Sequence, residues 1–293
     1  MAGTLSINCI QPGGGAYVVD GGRPYQAHLG VPSGGAADCR AQTAANRLLE
    51  RPATATCLEL TQRGGRWLLA GRGQFVITGA DMNFRLNGRP VEACQVQYLD
   101  GDGLLTSTAA RRGLRAYLAI RGQWDLPTVL GSREGGLPGA TAIQPGWSVD
   151  VNWRREAPFS MDLEVDRFYP DPSPALRVVP GPEWSTLDAD QQNWLLNTEF
   201  DVHPDSNRQG IRLLAPPHPG DPLPNQLSTP VLPGTVQLTP SGPILLGPDA
   251  QTIGGYPRVL MVPEPEDLAV AFQVGIGEGL RLRNNCSICK EDL

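Results

Sequence analysis

Lysine is almost missing from this chain: of 24 Lys and Arg residues in 293, only Lys290 is a lysine, and every other cation is arginine. A phosphate-cradling Walker loop needs its lysine, as does a Schiff-base enzyme or a biotin-carrying segment, so the chain alone fits none of these by their usual chemistry. Histidine is scarce too, with three residues, and aromatics make up 6%. There is no apolar run of 18 residues and no charged-then-apolar leader, which leads to the expectation of a cytoplasmic protein without membrane association. No basic stripe accompanies the net charge of −6, so nucleic acid is not an expected partner. A serine in the GxSxG order of a hydrolase elbow is also absent.

Six cysteines (Cys9, Cys39, Cys57, Cys94, Cys286, Cys289) are too sparse in a chain of this length for a disulfide framework. Cys286 and Cys289 form one CxxC with no second pair and no nearby histidine, which reads as an exposed tail rather than a metal or redox site; no metal is expected.

Glycine and proline, in contrast, are abundant at 35 and 28 residues. Strand-like runs at Phe75–Thr78, Leu114–Ile120, Thr235–Leu238, Ile244–Leu246, Val259–Val262 and Leu280–Leu282 are bounded by turn formers, the pattern of a mainly β sandwich or barrel. "YLDGDGLL", "AIQPGWSVDV" and "QVGIGEGLRLR" each read as a glycine turn leading into a strand. Few helices are expected: one from Asp38 to Pro52 with apolar residues at helical spacing, one over 185–196 with Ser185 and Asp188 at capping-box spacing, and a short one after Pro265. A change to charge and proline over 154–175 places a domain boundary near 165, giving domains 1–165 and 166–293.

Polar residues concentrate at glycine-punctuated places. "GVPSGGAAD" sets Ser33 and Asp38 around a turn entering a helix N-terminus, which suits anion binding or a simple helix cap. Asp81 ends a strand, as a site carboxylate or as a turn residue. Arg208 and Arg212 in "SNRQGIRL" are forks for a substrate carboxylate or phosphate, or else surface ion pairs; His203 reads as a structural or surface histidine. "DAQTIGGYP" at 249–257 interrupts a β region, and with Gln237 it offers Gln251, Thr252 and Tyr256, residues that hydrogen-bond amides without adding charge. A tight turn accounts for its glycines and proline but not for Gln251 and Thr252.

The ordered blocks "GVPSGGAAD…ANRLL", "ITGADM…LNG", "RAYLAIRG…VLGSR", "RVVPGP", "SNRQGIRL", "PGTVQL…GPILL" and "DAQTIGGYPRV" resemble the allophanate hydrolase subunit 2, or biotin-dependent carboxyltransferase, family. It includes the C component of 5-oxoprolinase, the KipA-type antagonist of a kinase inhibitor, and the C-terminal half of the urea carboxylase carboxyltransferase region. The resemblance implies two cyclophilin-like β-barrel domains. It implies two partners, a homologue of the KipI-like B component of 5-oxoprolinase and a LamB/YcsF-type A component, with ATP consumed by the complex and no biotin attached to this chain. Carried over block by block, it makes Asp38, Asn46, Asp81, Arg208, Gln237, Gln251, Thr252 and Tyr256 pocket residues, of which Asp38, Arg208 and Gln251 are taken as candidate catalytic residues. Ser33, Asn46, Asp81, Arg212, Gln237, Thr252 and Tyr256 become candidate substrate-binding residues, with Asp38, Arg208 and the Gln251–Tyr256 loop expected to share one cavity. The expected activity is ATP-dependent opening of 5-oxoproline to glutamate. The alternatives are a non-catalytic KipA-like regulator and the carboxyltransferase part of a urea/allophanate pathway.

Overall fold

A computed structural model describes residues 2–137, 139–154, 168–220, 224 and 226–284. The chain divides into two compact units, Met1–Pro24 with Gly34–Tyr169, and Tyr25–Ser33 with Pro170–Leu293. The boundary expected near 165 and the Cys286/Cys289 pair lie outside the described residues. No helix among the described residues is long and apolar enough to cross a membrane.

The first unit contains β1 (Ala2–Gln11), β2 (Ala16–Val19), α1 (Cys39–Leu48), β3 (Cys57–Thr61), β4 (Arg66–Asp81), β5 (Arg85–Leu86), β6 (Arg89–Pro90), β7 (Gln97–Thr106), β8 (Arg112–Ile120), β9 (Gln123–Trp124) and β10 (Ser148–Arg154). They form a ten-stranded, curled half-barrel sheet of order β2-β3-β8-β4-β1-β10-β9, with β7 on β4 and the small β5/β6 pair beside it. The apolar run Ala116–Ile120 serves two cores. Ala116, Leu118 and Ile120 enter the main core with Leu58, Leu60, Phe75 and Ile77, while the alternate residues Tyr117 and Ala119 face a second cluster with α1. A strand buried on both faces has no reason to alternate polar and apolar residues. Ala41, Ala44, Ala45 and Leu48 of α1 supply the other side of that second cluster at helical spacing.

"YLDGDGLL" departs from expectation. It is no turn: β7 runs straight through it and pairs with β4 from Phe75↔Gln97 to Arg66↔Thr106. Gly101 sits opposite Gly71, both at φ of 109°. Here glycine lets a long strand bend rather than end.

The second unit contains β11 (Ala175–Pro180), α2 (Ala189–Asn197), β12 (Glu199–Val202), β13 (Gly210–Leu214), β14 (Thr229–Pro230), β15 (Thr235–Thr239), β16 (Gly242–Leu246), β17 (Ile253–Gly254), β18 (Arg258–Met261), α3 (Pro265–Ala271) and β19 (Gly279–Asn284). Seven strands close a barrel in the order β11-β18-β15-β16-β13-β12-β19, and β19 meets β11 in parallel to complete it. Alternation is clean on β12, where Phe200 and Val202 are buried between exposed Glu199 and Asp201. The start of α2 differs from the expected capping pair: Asp188 is the N-cap, and its capping box closes with Gln191 rather than with Ser185.

Candidate functional site

Within the barrel, direct cross-strand pairing aligns Arg212 with Ile244, and Ile244 with Gln237. Paired residues share a face, and their neighbours Ile211, Leu213, Val236 and Leu245 are buried on the opposite one, so this row lies on the outer wall. Gln237 is nevertheless only 2% exposed. What covers it is the stretch 249–257. Its Ile253–Gly254 segment pairs with Thr229–Pro230 in a two-stranded ribbon, and a Cβ on Gly254 would stand 2.5 Å from Gln237 Nε2. Close approach rather than a turn accounts for this glycine, since a side chain here would displace the Gln237 amide from its two hydrogen bonds. Gln237 Nε2 donates to the carbonyl of Tyr256 at 3.0 Å, and Gln237 Oε1 accepts from Gln251 Nε2 at 3.3 Å.

Arg208 anchors the start of the same stretch, in a form that corrects the open substrate fork expected of it. Its guanidinium is buried and engages Asp249 through Nε at 2.7 Å and Nη2 at 2.9 Å. Asp249 N also donates to the Arg208 carbonyl. Arg208 therefore positions the loop that carries Gln251 and Thr252. Gln251 is exposed, Thr252 half-buried and Tyr256 39% exposed. Gln251, exposed and held through Nε2, and the half-buried Thr252 are the uncharged polar residues of this loop. Arg212 does not join them. Its exposed side chain instead lines a separate hollow of about 210 Å³ with His203 and Asp205.

In the first unit, the glycine-rich segment before α1 is held by the chain's own carboxylates. Glu134 Oε1 accepts from Gly35 N at 2.6 Å, and Glu59 Oε2 accepts from Ala37 N at 2.9 Å. Gly34 at φ 65° leaves no room for a side chain, since a Cβ would lie 2.2 Å from Glu134 Oε2. Asp38, wholly buried, caps α1 by accepting from Arg40 N at 3.0 Å and Ala41 N at 3.2 Å, and it is ion-paired to Arg40. The anion-binding reading of this helix end gives way to the capping one, because internal carboxylates already engage its donors. Tyr117 Oη accepts from Asp38 N and donates to Glu59 Oε2 at 2.8 Å. Burial, with Glu59 and Asp38 close by, holds its phenol well above the ordinary value, so it stays protonated as that donor.

Two further candidates make hydrogen bonds to the chain's own backbone. Asn46 Nδ2 binds the carbonyls of Ala53 and Ala55, tying the helix end to the next loop. Asp81 accepts from Asn83 N at 3.0 Å in an Asx turn after β4. Ser33 is exposed. Arg208, Gln237, Gln251, Thr252 and Tyr256 are thus gathered in the second unit, whereas Asp38, Asn46 and Asp81 belong to the first.

Sequence reasoning missed a cleft of about 770 Å³ in the first unit, whose lining includes Arg51, Arg121, Arg133, Trp124 and Trp153. These residues lie far apart in the chain and carry no common motif. The one signal pointing to them is the replacement of nearly every lysine by arginine.

The chain matches the family model of the carboxyltransferase domain, subdomain A and B, over residues 29–284. It is 30% identical over 280 residues to the C component of 5-oxoprolinase from Escherichia coli (strain K12), covering 93% of this chain and 89% of that protein. It is 28% identical over 281 residues to urea amidolyase of Lachancea kluyveri, covering 84% of this chain but 15% of that much longer one. The crystal structure of TTHA0988 superposes with a TM-score of 0.84 at 27% identity, over 95% of this chain and 56% of that one. This chain therefore spans little more than half of that neighbour. Its matched span and its curled sheet and closed barrel agree: the protein belongs to the family of carboxyltransferase domains of subdomain A and B type.

Proposed function

We propose that this chain is the C component of a cytoplasmic, ATP-dependent 5-oxoprolinase, opening the lactam of 5-oxoproline to glutamate together with a KipI-like B component and a LamB/YcsF-type A component. The observation that carries this reading is the alignment over nearly the full length of both proteins with a bacterial 5-oxoprolinase C component. The chemistry of the barrel wall supports it. A lactam presents an N–H beside a C=O, and the exposed Gln251 carries an acceptor and a donor on one amide, with the Thr252 hydroxyl next in the chain. Gln237 fixes the Gln251 amide at 3.3 Å, and the Arg208–Asp249 pair fixes the loop. Such holding orients an amide for attack without spending binding energy on rearrangement. ATP is consumed by the assembled complex, because ring opening of an unstrained amide needs activation.

The test is co-expression with the two partner homologues and measurement of ATP-dependent loss of 5-oxoproline. Turnover is expected to need this chain, and Gln251→Ala is expected to lower kcat/KM by about 10- to 100-fold, the rate equivalent of a lost hydrogen-bond partner. Turnover that continues without the chain, or survives Gln251→Ala with Thr252→Val, removes the proposal.

The match to urea amidolyase favours a second reading, carboxyl transfer to a urea-like acceptor. That chemistry places biotin on another chain. Avidin-sensitive carboxylation of urea, with no use of 5-oxoproline, would decide for it.

A further inference from the structure

Buried polar atoms in a folded protein nearly always find partners, so those that do not are informative. Among the described residues six buried side-chain nitrogen or oxygen atoms have none, and two of these, Arg133 Nε and Trp124 Nε1, belong to residues lining the 770 Å³ cleft of the first unit. Both are donors. Arg51 lines the same cleft, and its only side-chain hydrogen bond among the described residues goes to a neutral acceptor, Asn46 Oδ1, at 2.9 Å.

The carboxylates of the cleft are already engaged. Asp20 accepts from Gly22 N at 2.9 Å, Ser132 Oγ at 2.7 Å and the backbone N of Arg133 at 2.7 Å. Glu50 is ion-paired to Arg121. Among the described residues no ion pair joins the guanidinium of Arg51 or Arg133 to a carboxylate, and both residues line the cleft. Burial, above all, brings the Arg51 pKa down to about 10, with Cys57 opposing the shift and the positive charge of Arg133 adding to it. An arginine kept charged in that setting gains from an oxyanion between it and its neighbour, through short, charge-assisted bonds that a planar fork makes well. The two indoles, Trp124 and Trp153, add flat apolar wall beside the charge.

We propose that the cleft bounded by Arg51, Arg133 and Trp124 is an oxyanion-binding site for a small molecule bearing a carboxylate or phosphoryl group, separate from the Gln237–Gln251 wall. It lies wholly within the first unit and does not depend on the activity proposed above.

The test is binding to the full chain, with no partner proteins, by calorimetry and tryptophan fluorescence at low ionic strength. Inorganic phosphate and glutarate are the probes. Saturable one-to-one binding of phosphate alone assigns a phosphoryl group, of glutarate alone a carboxylate, and of both the shared chemistry. Arg133→Gln is expected to weaken that binding at least tenfold. Arg72→Gln, which removes an equal charge from an exposed pair with Asp100 in the same unit, is expected to leave it unchanged. Should Arg133→Gln fail to fold by circular dichroism, Arg51→Gln, at a partly buried position, carries the same comparison. Neither probe binding more tightly than about 10 mM, or equal weakening by Arg72→Gln, overturns the proposal.

Discussion

Arg208 and Asp249, 41 residues apart, meet as a buried two-pronged ion pair, with Nε to Oδ2 at 2.7 Å and Nη2 to Oδ1 at 2.9 Å. Removing one partner strands the other charge out of water, whereas removing both does not. Arg208→Met should therefore cost about 3–5 kcal/mol in urea unfolding, and Arg208→Met with Asp249→Leu should recover most of it. A double variant as unstable as the single one would show that the pair contributes more than charge compensation.

A methyl group on Gly254 would stand 2.5 Å from Gln237 Nε2 and force that amide to move. Gly254→Ala should push the ribbon off the barrel wall at about 1–3 kcal/mol, the usual cost of overpacking, and should impair turnover by the complex. Denaturation and 5-oxoproline assays on one preparation check both halves.

Tyr117 joins the α1 cap to Glu59 through one hydroxyl. Tyr117→Phe keeps the ring in its core but leaves two buried groups short of a partner, so a loss of about 1–3 kcal/mol is expected. No change in the unfolding midpoint would contradict the bridging role.

Glu183 pairs with Arg258, whose side-chain hydrogen bonds hold the Glu183 carboxyl below its usual range, against a smaller opposing effect of burial. A carboxylate depressed in the folded state contributes stability above its unfolded pKa, and that contribution disappears as pH falls through the folded one. The stability difference between wild type and Glu183→Gln should thus be steady near neutral pH and shrink on acidification through and below the ordinary glutamate range. A difference that grows with acid would reverse the assignment.

Much of the β framework was legible because its strands are short apolar runs with glycine or proline at their ends, as at Val259 and Leu280. The Asp38 cap was legible for the same local reason. "YLDGDGLL" misled because glycine marks a bend inside a long strand as readily as a turn between two. The polar wall showed in the sequence through Gln251 and Thr252, which no turn requires. What stayed hidden was set by distant partners: Asp249 taking up Arg208, Glu134 and Glu59 taking up the loop before α1, and Arg51 and Arg133 lining one cleft. Spacing along the chain carries no trace of such pairings.

The barrel of the second unit is sealed by β19 lying parallel to β11, from Ala175↔Arg281 to Val178↔Asn284. During synthesis, then, β11 and β12 must wait on the ribosome with bare edges until the last strand has emerged, some hundred residues after β11. Chains released early, before Gly279, would expose those edges to one another, so premature termination should yield aggregates rather than a shortened working protein.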